Sequence, residues 1–189
     1  YGGSGSGKTT IAAALQQYFL NDNTACYVLT GDNYPHRIPM RNDEERLNVY
    51  NESGEEGLRG YLGTKEEIDF DRINKELSEF KAGKDIIEIK HMGREDGDIS
   101  YDETDFTGIK VLILEWTHGG SEYLKGVDIP VFLESSPEET KARRIKRGRD
   151  ENAASPFICR VVELEQEKLD LQGKNARIVV GRDGNVYEQ

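Results

Sequence analysis

The sequence predicts an α/β fold in which helices flank a twisted parallel sheet. Short apolar runs of strand length alternate with longer stretches of helical periodicity, which is the pattern of α/β chains. The run Val111–Leu114 is apolar at every position, as expected of a central parallel strand with both faces covered. The length of 189 residues fits one domain, so residues 1–189 are treated as a single unit.

Five helices are expected. Apolar spacing predicts a helix over residues 9–20 and a polar helix over 43–51. A capping box formed by Thr64 and Glu67 predicts a third helix, which Gly83 ends. The last two begin with a capping serine followed by proline, at Ser136 and at Ser155.

Strands are expected at residues 25–29, 86–90, 99–101, 111–114, 129–133, 176–180 and 186–187. The second and third of these form a small β-hairpin insertion. The last two flank Asp183-Gly184, a sequence typical of a hairpin turn. The chain opens on Tyr1 rather than Met, and we expect further strand residues upstream of it in the native protein.

Composition excludes several classes of protein. No stretch approaches the roughly 20 apolar residues of a membrane span. The formal net charge of −11 disfavours general binding to nucleic acid or to a membrane surface. Two cysteines do not make a disulfide framework and fit a reducing compartment, so a cytoplasmic location is expected.

Residues 2–9 match G-x-x-x-x-G-K-[ST], the phosphate-binding P-loop, in full. Glycines let backbone N–H groups converge on phosphate oxygens, and the following helix points its N-terminal partial charge at the same anion. Lys8 is expected to reach the β- and γ-phosphates, and the Thr9 hydroxyl to bind Mg²⁺. A flexible Gly/Ser tail is the alternative. The residues predicted to bind ATP here are Gly3, Ser4, Gly5, Ser6, Gly7, Lys8, Thr9 and Thr10.

Two carboxylates follow predicted strands. Asp32 comes just after the strand at 25–29, where it is placed to accept a proton from a substrate hydroxyl or to hold Mg²⁺ through water. Glu115 ends the apolar run at 111–114 and is interpreted as a second group for the metal. The alternatives are an ordinary turn aspartate and a plain strand-end glutamate. Neither the guanine-reading N-K-x-D nor the transporter motif L-S-G-G-Q occurs in the sequence.

With these motifs the chain resembles, over most of its length, the uridine kinase/phosphoribulokinase family of P-loop kinases. The matching segments are the phosphate loop, Asp32-Asn33-Tyr34, Phe70-Asp71, Ile113-Leu-Glu115 and the arginine-rich run at 143–147. The resemblance implies ATP and Mg²⁺, a general base at Asp32 and a metal-assisting Glu115. It also implies a lid at about residues 141–155.

Positive charge is concentrated within residues 141–149 of this acidic chain. In a lid, guanidinium groups would neutralise the transferring phosphoryl group. A nucleic-acid patch, or a solvated helix with Glu139 and Arg143 paired, are the alternatives. The candidates for phosphate contact are Arg144, Arg147 and Arg149.

The chain departs from the family pattern mainly where the acceptor would bind. Pro35 replaces Tyr or His, Trp116 replaces Gly, and Gly148 shortens the lid. The usual pyrimidine-binding stretch is replaced by residues 91–94, which argues against uridine or cytidine. The candidate acceptor-binding residues are Tyr34, His36, Arg37, Arg41, His91 and Arg94. His118 lies near the site in sequence, without an assigned role.

These observations predict an ATP-dependent kinase that phosphorylates a hydroxyl of a small metabolite, such as a nucleoside or a sugar phosphate. Arg37 and Arg41 would suit an acceptor that carries phosphate or carboxylate. Two other readings stay open: an adenylylsulfate-kinase-like enzyme, and a regulatory module that binds ATP without an acceptor. Self-association is also left open.

Overall fold

The computed structural model describes residues 1–147 and 155–189, and they form an α/β fold. The helices are α1 (Lys8–Asn21), α2 (Pro39–Tyr61), α3 (Phe70–Lys81), α4 (Pro137–Arg147) and α5 (Pro156–Gly173). The strands are β1 (Cys26–Thr30), β2 (Ile86–Met92), β3 (Ile99–Asp105), β4 (Val111–Glu115), β5 (Val131–Leu133), β6 (Ile178–Val180) and β7 (Val186–Glu188). A single 3₁₀ turn, Gly31–Asn33, follows β1.

The described strands form three small sheets, β1-β4, β2-β3 and β5-β6-β7, rather than one continuous sheet. Parallel pairing brings the carboxyl ends of β1 and β4 to one edge. β1 pairs with β4 in a register that sets Thr30 opposite Glu115. β5 pairs in parallel with β6, and Gly2 forms a parallel bridge with Leu133 at the end of β5. The phosphate loop and the turn after β1 therefore both begin where strands end, as expected for ligand sites in parallel sheets.

Two antiparallel hairpins complete the strands. β2 and β3 pair along their whole length, and β6 pairs with β7 around the Asp183-Gly184 turn, so both predicted hairpins are confirmed. The insertion reaches the site, because the backbone N–H of Met92 donates to Asn33 Oδ1 over 3.3 Å.

The main core lies beneath the turn after β1. Tyr34, Phe70 and Trp116 are almost wholly buried there, and the Phe70 and Trp116 rings lie 5.5 Å apart. A Cβ on Gly31 would fall 1.9 Å from Trp116 Cγ, so only glycine fits at this point. The chain thus closes the turn directly over a large aromatic side chain.

Three predictions of local structure need correction. α2 is longer than predicted and contains a non-helical residue, Gly54, at φ 66°. Thr64 and Glu67 do not cap α3: Asp69 does, and its side chain accepts from the Arg72 N–H. Every residue of β4 keeps partial exposure, so its two faces are not fully covered. The serine caps of α4 and α5 are confirmed, because Ser136 and Ser155 each accept from a backbone N–H three residues on.

Candidate active site

The phosphate loop is held open by two glycines with left-handed backbone angles. Gly5 has φ 84° and Gly7, which precedes α1, has φ 101°. A side chain at either position would be strained, and one at Gly5 would also press on Thr140 and Arg144. The loop therefore presents its backbone to a ligand at the N-terminus of the 14-residue helix α1.

Lys8 is held across the mouth of this loop. Its Nζ donates to the carbonyl oxygens of Gly2 and Gly3 over 2.9 and 3.0 Å. The buried hydroxyl of Ser6 has no hydrogen-bond partner among the described residues. A cationic amine and an unsatisfied hydroxyl beside the backbone of a glycine-rich loop fit a phosphate group.

Thr9 and Glu115, the two predicted metal ligands, lie close together. Thr9 Oγ1 lies 3.4 Å from Glu115 Oε1, although the two residues belong to different elements. One hydroxyl and one carboxylate beside a phosphate loop fit Mg²⁺, which prefers oxygen ligands and keeps several waters. Asp32 lies two residues beyond Thr30, the register partner of Glu115, and its side chain is exposed.

Of the predicted lid arginines, Arg144 lies against the phosphate loop. Its side chain is only 7% exposed, and a Cβ on Gly5 would lie 3.2 Å from its Cγ. Its Nη2 donates to the Pro137 carbonyl, while Nε and Nη1 have no hydrogen-bond partner among the described residues. Arg147 ends α4, and Arg149 lies outside the described residues.

The structure adds two basic residues that sequence reasoning did not select. Arg143 Nη1 donates to the Gly5 carbonyl over 3.3 Å, and Lys146 lies beside it on the next turn of α4. Both line a groove of about 630 Å³, together with Gly5, Gly7, Thr10 and Ile11. Helical spacing could have identified these two residues, because residues 143 and 146 are three apart and share one face of α4. Residue 144 lies on a different face.

Tyr34 does not contact an acceptor, and that prediction is corrected. Its side chain is fully buried, and its hydroxyl donates to Glu76. Burial, reinforced by the Glu76 carboxylate, raises the pKa of Tyr34 well above its ordinary value. The residue belongs to the core beneath Asp32.

Two candidate arginines, Arg41 in α2 and Arg37 just before it, form ion pairs with carboxylates. Arg41 forms a two-pronged ion pair with Asp96, at 3.1 and 2.6 Å, and a further one with Glu44. Arg37 lies 3.4 Å from Glu45 and donates to the Tyr61 hydroxyl. The expectation that these guanidinium groups await an anionic acceptor is therefore not supported by their partners.

The histidine candidates are dispersed. His36 is exposed and lies 3.0 Å from the Lys65 carbonyl. His91 lies on β2, 3.8 Å from Asp102 on the neighbouring strand, and Arg94 follows in the turn of the same hairpin. His36, His91 and Arg94 thus come from three different segments: the loop before α2, strand β2 and the turn after it.

A polar cluster not foreseen from sequence lies behind the turn. Glu67, 1% exposed, accepts from Arg46 Nε (2.6 Å), Asn42 Nδ2 (2.9 Å) and the Gly63 N–H (2.6 Å). Arg46 also donates to Glu165 of α5 over 2.9 Å. Burial opposes the charged form of Glu67, but Arg46 and the other donors outweigh it and hold its pKa below the usual range. We name Asn42, Arg46, Glu67 and Glu165 the α2–α5 cluster.

The fold and this site define a P-loop phosphotransferase. Two solved structures share the fold: a putative fructose transport system kinase from Silicibacter sp. TM1040 (TM-score 0.64, 16% identity, 90% of this chain and 82% of that one) and phosphoribulokinase from Rhodobacter spheroides (TM-score 0.67, 13% identity, 94% and 67%). At these identities the likeness concerns architecture alone.

The chain belongs to the phosphoribulokinase/uridine kinase family, whose profile matches residues 1–182. The family assigns the chain to the kinases that act on hydroxyl groups, and it implies ATP as the phosphoryl donor. The bifunctional alpha-galactosidase/sucrose kinase AgaSK of Mediterraneibacter gnavus is 75% identical over 189 residues, which are 100% of this chain and 20% of that protein. The chain thus spans about a fifth of that relative.

Within the described residues, no helix is both long and apolar enough to cross a membrane.

Proposed function

We propose that this chain transfers the γ-phosphoryl group of ATP to a hydroxyl of an uncharged sugar, and that sucrose is the acceptor. The observation that carries the proposal is the meeting of the phosphate loop, the Thr9–Glu115 pair and the turn bearing Asp32 at one edge of the parallel strands. Phosphoryl transfer needs this combination of positioning and charge balance.

In the proposed reaction, the acceptor oxygen forms a bond to the γ-phosphorus while the bond from that phosphorus to the β,γ-bridging oxygen breaks, and ADP leaves. Asp32 orients the acceptor hydroxyl and takes its proton. Lys8, bonded to the Gly2 carbonyl, and Arg144, beside Gly5, balance the charge of the phosphates. Thr9 and Glu115 would hold Mg²⁺, which supplies further positive charge at the phosphate oxygens.

Two observations support a neutral acceptor. The arginines nearest the turn in sequence, Arg37 and Arg41, are already paired with carboxylates and so offer little to an anionic group. The relative named as a galactosidase and sucrose kinase is 75% identical to this chain over 189 residues, of which residues 1–182 match the kinase family. We therefore assign the sucrose kinase activity in that name to the shared segment.

An acceptor panel tests the proposal. The chain is incubated with Mg·ATP and, in turn, with sucrose, glucose, fructose, a sugar phosphate and uridine, and the product is identified by ³¹P NMR and mass. We expect a monophosphorylated sucrose and a Lys8→Met variant without transfer. Preferential phosphorylation of uridine or of the sugar phosphate, or no transfer to any compound, would contradict the proposal.

A further inference from the structure

The α2–α5 cluster has hydrogen-bonding capacity that neither the fold nor the proposed transfer uses. Asn42 is 6% exposed, and its Oδ1 has no donor among the described residues, although its Nδ2 is held by Glu67. A buried polar atom left without a partner destabilises the protein, so a ligand that supplies a donor gains in affinity. The cluster thus carries an unsatisfied acceptor beside a buried carboxylate.

Glu165 and His118 both keep partial exposure in this region, and the Glu165 side chain is 12% exposed. Glu165 is held through one oxygen, Oε1, by Arg46. His118 lies edge-on to the Trp116 ring, 5.5 Å between centroids, and against Gly63, where a Cβ would be 2.9 Å from its Nδ1. Neither ring nitrogen of His118 has a hydrogen-bond partner in the part of the chain that the structure describes.

Two contacts place this region between the phosphate loop and the turn bearing Asp32. Gln166, next to Glu165 on α5, touches the loop: a Cβ on Gly3 would lie 2.6 Å from Gln166 Oε1. On the other side, His118 packs against Trp116, which lies directly beneath Gly31, the residue before Asp32. Burial and Arg46 lower the pKa of the imidazole, while Glu165, Glu67 and Asp32 oppose them, and the balance keeps it neutral at pH 7.

We propose that Glu165 and His118 bind the non-reacting hydroxyls of the acceptor sugar and determine which sugar is accepted, a role that rests on the function proposed above. A carboxylate accepts hydrogen bonds from sugar hydroxyls, and a neutral imidazole can both donate and accept. Arg46 and Glu67 act as positioning residues. Arg46 donates to the Glu165 carboxylate, and Glu67 holds the Arg46 guanidinium through a second ion pair. Sites that hydrogen-bond a substrate hydroxyl reject analogues lacking it far better than apolar pockets do.

Steady-state kinetics of three variants test this role: Glu165→Gln, His118→Asn and, as a matched control, Glu163→Gln. Glu163 lies on the same helix, is 46% exposed and pairs only with Arg160 among the described residues. We expect kcat/KM for sucrose to fall about 10- to 100-fold in the first two variants, with the KM for ATP unchanged, because each loses a hydrogen bond to the acceptor. The preference for sucrose over fructose should shrink in both, and the control should match wild type.

Thermal unfolding of each variant separates this role from a structural one. Glutamine at position 165 can still accept from Arg46, so its unfolding temperature should stay close to that of wild type. An unchanged KM for sucrose, or equal losses for ATP and sucrose, would overturn the inference while the proposed function stands. If wild type phosphorylates no sugar at all, both fall together.

Discussion

At the scale of single residues, removal of Asp32, the proposed base, should separate ATP binding from phosphoryl transfer. Its side chain is exposed on the turn after β1, so it supports neither the core nor the phosphate loop. We predict that Asp32→Ala lowers the rate of phosphoryl transfer about 10²- to 10⁴-fold. ATP affinity, measured by calorimetry, should stay within a factor of about two.

The control for this variant is Asp128→Ala. Asp128 is 75% exposed and pairs with Lys81 over 2.6 Å, in the segment between β4 and β5. Its replacement should leave both rate and affinity unchanged. Weakened ATP binding with turnover preserved in Asp32→Ala would refute the role of Asp32 as base.

The close packing of Gly31 on Trp116 can be tested through the stability of variants. A Cβ at position 31 would lie 1.9 Å from Trp116 Cγ, so Gly31→Ala should destabilise the protein by about 1–3 kcal/mol. Trp116→Ala should cost about 3–5 kcal/mol through the cavity it leaves. In the double variant the new methyl group enters that cavity, so the losses should fall short of their sum, as measured by denaturant unfolding.

Gly60→Ala serves as the control for this cycle. A Cβ at Gly60 in α2 meets nothing within 4 Å, and alanine favours the helix more than glycine does. The change should therefore be neutral or slightly stabilising. Strict additivity of the Gly31 and Trp116 effects would show that the two sites do not share this space.

At the scale of secondary-structure elements, α4 places Arg144 against the phosphate loop. This placement lowers the stability of the protein without ligand. Two of its buried guanidinium nitrogens lack partners among the described residues, which costs about 1–3 kcal/mol. We predict that Arg144→Met leaves stability unchanged or raised while transfer falls about 10³-fold or more. Chemical denaturation and the kinase assay measure the two effects.

The same change at an exposed arginine supplies the comparison. Arg182 is 55% exposed and lies 3.8 Å from Glu139. Arg182→Met should alter neither quantity. Lower stability combined with full activity in Arg144→Met would assign this arginine to the scaffold instead.

The α2–α5 cluster ties two helices to the segment before α3 and should make stability depend on pH. The pKa of Glu67 is held below its usual 4.5, so the folded state loses stability as pH falls below that value. The pKa of His118 is also lowered, from 6.5, so stability begins to fall below pH 6.5, where the unfolded chain binds a proton more readily. Unfolding temperatures across pH 3–8 should show both effects.

Glu67→Gln isolates the carboxylate in this profile. Removing one partner of a buried ion pair costs about 3–5 kcal/mol at pH 7, and the variant should then lose less stability than wild type between pH 5 and 3. Glu163→Gln, at an exposed pair, should keep the wild-type profile. If Glu67→Gln and wild type lost the same stability between pH 5 and 3, Glu67 would be excluded as the source of that loss.

Elements defined by local signals were predictable, and those decided by tertiary contacts were not. α1, both hairpins and the serine caps follow from periodicity, turn residues and cap spacing. Thr64 and Glu67 have the same cap spacing, but the Arg46 guanidinium draws the Glu67 carboxylate into a buried cluster, and Asp69 caps α3 instead. Tyr34 and Arg144 show the same limit within the site, because sequence does not reveal which side chain of a motif faces inward.

At the scale of the whole molecule, an anion site operates within an acidic protein. The formal net charge is −11, yet Lys8, Arg143, Arg144 and Lys146 gather on α1 and α4 around the phosphate loop. Fields from these nearby groups dominate at short range, because salt screens distant exposed charges beyond about 10 Å at 0.1 M. We therefore expect the acidic remainder to disfavour polyanions such as nucleic acid, while the loop binds the single triphosphate proposed above.

Binding of Mg·ATP should therefore stabilise the whole fold, since the loop, α1, β4 and α4 all meet at it. At 100 times the dissociation constant, a ligand adds about 2.7 kcal/mol, which for a domain of this size raises the unfolding temperature by roughly 5–10 °C. Chelation of Mg²⁺ with EDTA should shrink the shift, because Thr9 and Glu115 then lack the ion they would hold. In Glu115→Gln the difference between Mg²⁺ and EDTA should narrow, whereas Glu122→Gln, exposed in the loop after β4, should behave as wild type. An equal shift with and without Mg²⁺ in the wild-type protein would remove the metal from the mechanism.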